Sequence, residues 1–138
     1  MDLNTIFHVH TYRCGHAGED DRRDKSDEHK VLAEGMISGM ETGLFAAVAH
    51  PDQIFRRLKE WNSDADRISK EIIQCATEHH VALEYNLRNK IGRKKKRAHR
   101  PEFWESLPPG AKIIYSVDAH SVVELEEGFR LQRTFCER

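Results

Sequence analysis

A chain of 138 residues suits one compact domain with a sizeable core. Its 22 basic and 23 acidic side chains nearly cancel, so overall charge selects neither nucleic acid nor an anionic membrane as a partner. No cationic and then apolar leader opens the sequence, and no stretch approaches the roughly 20 apolar residues of a bilayer span, so the expected protein is cytoplasmic with no membrane partner. Cys14, Cys75 and Cys136 are odd in number and widely spaced, which favours reduced thiols over a disulfide framework. The unusual count is nine histidines.

Leu3 to His10 alternates, with Ile6, His8 and His10 on one face and Phe7 and Val9 on the other, the period of a strand. Thr11 to Asp27 is polar and aperiodic and reads as a long surface loop, with Ser26 able to cap the next element. Val31, Leu32, Met36, Ile37 and Met40 recur at helical spacing as far as Gly43, a C-terminal stop. Leu44 to Ala49 is a short apolar run of the kind that forms buried strands, ending at His50. Ile54, Phe55, Leu58 and Trp61 predict a short helical turn. Ser63 is then expected to cap a longer helix with Ile68, Ile72 and Cys75 or Ala76 on its inner face, ending near His79 and His80.

Val81 to Tyr85 reads as a third strand, and Asn86 to Arg100 as a basic loop containing the run Arg93 to Arg97. Pro101 opens a short helical segment with Phe103 and Trp104. Lys112 to Val117 is a fourth strand, and Ser121 with Glu124 matches a capping box that starts a final helix through Phe129 and Leu131. Strand followed by helix, four times, predicts an α/β protein with a mostly parallel sheet, open or part of a barrel, in a single domain without internal repeats. Ligands in such folds gather at the carboxyl ends of the strands. The polar residues fall there: His8 and His10, then His50, then Glu84 and Asn86, then Asp118 and His120.

His8 and His10 lie two apart on one strand face, so both imidazoles can share a divalent ion, and His16 follows in the next loop. Asp118 and His120 repeat that spacing and add a carboxylate, a donor that suits zinc, manganese or iron. A single histidine at a strand end is more often hydrogen-bonded structure than ligand; the convergence of five such residues favours metal. Arg13, Arg56, Arg88 and Lys90 follow strand ends in sequence and suit phosphate oxygens, with solvated loop charge as the plainer alternative. His29, Glu34 and Glu41 have a helical context that predicts surface positions, and His79 and His80 read as structural groups at a helix end. Cys14 reads as a bystander among nitrogen and oxygen donors. The basic run lacks interleaved aromatics, which favours a solvated loop over a nucleic-acid site.

The stretches His8 to Thr11 with His16 beyond, Ala49 to Asp52, Leu83 to Asn86, and Ser116 to Ser121 together resemble, in order, the motifs of the polymerase and histidinol phosphatase family, nearest its histidinol-phosphatase branch. The resemblance implies a seven-stranded distorted β/α barrel, up to three divalent metal ions, and hydrolysis of a small phosphomonoester, histidinol phosphate first among candidates and histidine biosynthesis the pathway. It implies that His8, His10 and Asp118 hold one ion, that His50 helps to hold a second, and that His16 and His120 hold a third, with Asp118 and His120 the catalytic positions. The family's further histidines and bridging glutamate, which fall between the first motif and the His-Pro motif, have no counterpart here. The expected fold is therefore a partial barrel of about four parallel strands in one domain spanning residues 1–138, truncated internally after about residue 17. Two consequences are expected: weakened phosphatase activity, and a homo-oligomer in which exposed strand edges pair. The competing readings are a metal-binding remnant without catalysis and an amidohydrolase-like metal hydrolase.

Overall fold

A computed structural model describes residues 27–91 and 100–136. The first predicted strand with His8 and His10, the loop with Arg13, Cys14 and His16, and the basic run 93–97 lie outside the described residues.

Helix α1 spans Glu28–Glu41, with Asp27 at its N-cap position and Ala33 and Met40 buried. It stops as expected: Thr42 is the C-cap and Gly43 takes φ 70°, a left-handed conformation that a side chain would strain. Glu34 and Glu41 are exposed, as expected. His29 is not: it is only 6% exposed. The helix packs its first turn on the segment that follows the next strand, and this brings the imidazole to 5.9 Å from the Phe55 ring.

Strand β1 is only Ala47–Val48, shorter than the apolar run around it, because Leu44 and Phe45 stay largely exposed. Pro51–Phe55 then forms a 3₁₀ helix, with proline in its first turn and all five residues buried. Phe55 is fully enclosed and meets Trp61 edge-on at 4.9 Å; burying such a ring is worth about 1.5–3 kcal/mol. Arg100 secures this turn from a distance. Its Nε donates to the Phe55 carbonyl at 3.2 Å, Nη2 donates to the Leu58 carbonyl, and its backbone N–H donates to Asp52 at 3.2 Å.

Helix α2 spans Ser63–Glu78. Its cap is Asn62 rather than Ser63: the Asn62 side chain accepts the Ala65 N–H at 2.9 Å, leaving Ser63 as the first helical residue. Ile68, Ile72, Cys75 and Ala76 are buried on the expected face, joined by Ala65, Ser69 and Ile73. Strand β2, Ala82–Asn86, follows after His80 turns the chain through φ 57°. A 3₁₀ turn covers Leu87–Lys90, the short helix α3 is Pro101–Trp104, and strand β3 is Ile113–Ser116. Helix α4, Val122–Cys136, ends the described chain.

The sheet has the order β1-β2-β3, all parallel, with Ala47 opposite Ala82 and Asn86 opposite Ser116. Two-residue periodicity gives β2 two characters. Leu83 belongs to the main core, and the neighbouring Tyr85 ring lies 4.9 Å from Trp104 of α3, 5.7 Å from Tyr115 of β3 and 5.9 Å from Phe135 of α4, so this face carries the helices. Glu84 and Asn86 alternate with them and belong to the other face. The described chain is thus an α/β unit of three parallel strands and four α-helices.

Candidate functional site

The carboxyl ends of β1, β2 and β3 carry the polar residues, and β2 in the centre ties the other two. His50, two residues after β1, has φ 30°, and Asp118, two residues after β3, has φ 46°. Left-handed conformations outside glycine cost about 1–3 kcal/mol each and persist only where the surroundings impose them. Here the imposing groups are identifiable.

Glu84 is 5% exposed, and its carboxylate spans both neighbours. Oε2 accepts the His50 backbone N–H at 2.6 Å, and Oε1 accepts the Ser116 hydroxyl. Bonds to a carboxylate are about twice as strong as neutral ones, which holds the turn after β1 to the ladder between β2 and β3. Asn86 works on the other side: its Nδ2 donates to Asp118 Oδ2 at 3.2 Å, and its Oδ1 accepts the Arg88 N–H at 2.9 Å. Arg88 then reaches back over the turn. Its Nη1 donates to the Asp118 backbone carbonyl and lies 3.3 Å from Glu124 Oε2.

Glu124 also accepts the His120 N–H at 2.7 Å, while its own N–H donates to Ser121 Oγ at 3.2 Å. The expected capping box is therefore present, with the reciprocal bond made one residue earlier than the usual form. His120 Nδ1 is 2.9 Å from the Asp118 carbonyl oxygen. A carbonyl only accepts, so Nδ1 is the donor in this contact, and in the neutral ring the Nε2 lone pair is then left for a ligand, the arrangement found around metal-binding imidazoles. Asp118 is largely covered and His120 half exposed, with Nδ1 3.8 Å from Asp118 Oδ1.

The structure thus brings Asp118, His120 and Arg88 together and sets His50 at the end of β1, on the far side of β2 from them. Arg56 is turned toward α1, with Nη2 3.8 Å from Glu28, and Lys90 lies over the Phe135 ring at 6.0 Å from its centre on the helix-bearing face. Of the four expected phosphate contacts, Arg88 is the one that the described residues place against Asp118; Arg13 lies outside them. Among the described residues, no group of three His, Cys, Asp or Glu side chains is placed to hold a metal ion. Asp118 and His120 supply two donors of suitable chemistry, and the expected companions His8, His10 and His16 lie outside the described residues.

Ser116 and Glu124 were not legible as site residues. Ser116 does share the parity of Asp118 along its strand and stands opposite Asn86 in register, a signal that needs the strand pairing to be read. Among the described residues, no helix is long and apolar enough to cross a membrane. No protein-family model, curated protein or solved structure matches this chain.

Proposed function

We propose that the chain is a metal-dependent phosphomonoester hydrolase of the histidinol-phosphatase kind, built on a partial barrel of the polymerase and histidinol phosphatase family. The observation that carries this reading is the orientation of His120: Nδ1 lies 2.9 Å from the Asp118 carbonyl oxygen, which turns Nε2 away from that contact, beside a carboxylate that Asn86 orients. The ordered motifs supply the rest of the donor set. Asp118 and His120, with His8, His10, His16 and His50, would hold zinc, manganese or iron. Such an ion, when bound, supplies a water acidified to near neutrality and charge to offset that of a phosphoryl group.

The chain's own side chains have separate tasks. Glu84 and Asn86 hold the two strand-end turns in register, and Arg88 presents a planar cation beside Asp118, suited to a phosphate oxygen through the N–H groups that its backbone contact leaves over. A small phosphate ester is the substrate and a second copy of the chain the partner.

The test combines metal content with a substrate panel. Protein prepared with zinc, manganese or iron is expected to retain the metal by elemental analysis, to lose melting temperature on chelation, and to release phosphate from small monoesters, histidinol phosphate included. His120→Ala is expected to lower metal retention while leaving the fold intact. A metal-free chain whose melting ignores chelator, or one that cleaves amides and no ester, overturns the proposal.

A further inference from the structure

Helix α4 is held to the sheet along one side. Gly128 packs directly on the Val117 side chain, Gln132 Nε2 donates to the Tyr115 carbonyl at 2.7 Å, and the Phe135 ring lies 5.1 Å from that of Tyr115. These residues are three and four apart and define the inner face. Val122, Glu126, Phe129 and Arg133 follow the same spacing on a face turned roughly a third of a revolution away. That face is open: Val122 is 72% and Phe129 50% exposed, and Glu126 and Arg133 are exposed as well. Neither Glu126 nor Arg133 takes an ion-pair partner among the described residues.

The charges on this stripe are complementary to themselves in one arrangement only. A two-fold axis passing between residues 129 and 130 runs two copies of α4 antiparallel, sets each Glu126 opposite Arg133 of the other copy, and stacks the two Phe129 rings near the centre. A parallel pairing would oppose Glu126 to Glu126 and Arg133 to Arg133, like charges that disfavour it. We propose that a second copy of this chain docks antiparallel on the outer face of α4, through Phe129 with two reciprocal Glu126–Arg133 ion pairs. A two-fold interface is the commonest homo-oligomer symmetry, and it makes each favourable contact count twice. This interface needs neither the metal reading nor the sheet edges.

A pair of 15-residue helices lies at the small end of stable interfaces, so association is expected at concentrations on the order of micromolar and to weaken with salt. The experiment is a charge-reversal cycle read by sedimentation of the full chain across concentration. Glu126→Arg alone and Arg133→Glu alone each place like charges together twice, and each is expected to weaken dimerisation by about tenfold. The double reversal restores opposite charges across the axis and is expected to return the dissociation constant close to the parent value. Phe129→Glu is expected to abolish the dimer, while far-ultraviolet dichroism of all four variants stays that of the parent. A monomer at every concentration, a dimer indifferent to single reversal, or a double reversal that adds the two losses instead of cancelling them overturns the proposal.

Discussion

Replacing Gly128 with alanine sets two physical effects against each other, and the structure decides the winner. In an open helix the change is favourable by about 1 kcal/mol, since glycine is the poorest helix former after proline. Here a Cβ at residue 128 would overlap Val117 Cγ1 and lie 2.9 Å from Cγ2 and 3.0 Å from Cβ. Val117 is itself 7% exposed, so its methyl groups have nowhere to retreat except by moving β3 or α4. Overpacking of this kind costs about 1–3 kcal/mol. The net expectation is destabilisation of up to about 2 kcal/mol in urea unfolding, with the β3–α4 turn that carries Asp118 displaced along with the helix. Val117→Ala removes the obstructing methyls, so the double variant is expected to lose at least about 1 kcal/mol less than the sum of the single losses. A Gly128→Ala protein more stable than the parent, or strictly additive double-variant losses, would refute the close packing of α4 on β3.

Asn62→Ala removes the side-chain acceptor of the Ala65 N–H and is expected to cost about 1 kcal/mol of stability, whereas Ser63→Ala is expected to be nearly neutral; chemical denaturation of both variants checks which residue is the cap. Glu84→Ala removes the acceptor of the part-buried His50 N–H and Ser116 hydroxyl, an expected loss of about 1–3 kcal/mol in thermal unfolding, accompanied by faster hydrogen exchange at His50. Burial in the first place, and the neighbouring Lys30 charge in the second, hold His29 below its ordinary pKa of 6.5. The unfolded chain therefore binds more protons between the lowered value and 6.5, so this residue's contribution to stability is full above 6.5 and is lost as pH falls below it. His29→Gln is expected to flatten that part of the stability–pH curve, and an unchanged slope would count against a buried neutral imidazole.

Local pattern was sufficient for the described helices and for the general position of the three described strands. The 3.6-residue recurrence in α1 and α2, the breaks at Gly43 and Pro51, and the Ser121–Glu124 pair are interactions within a few residues, so they are written into neighbouring positions. The same holds for the crowding of His50, Glu84, Asn86, Asp118 and His120 at strand ends, since parallel strands of a βα repeat must deliver their carboxyl ends to one side. The choice of Asn62 over Ser63 as a cap, and the burial of His29, depended on geometry that propensity leaves open: both residues of the first pair are good caps, and an imidazole at the start of a helix is buried only if another element lies over it. The short extent of β1 likewise followed from pairing, because two residues find partners on β2 while the apolar run is longer. The contacts that make the strand ends a site were tertiary throughout. Glu84 reaches His50 across 34 positions and Ser116 across 32, Asn86 reaches Asp118 across 32 and Arg88 reaches it across 30. Residue types and spacing determined which groups stood at the rim; only the parallel register of β1, β2 and β3 decided which of them touch, because hydrogen bonds of about 3 Å are formed by chain segments that sequence separation alone does not bring together.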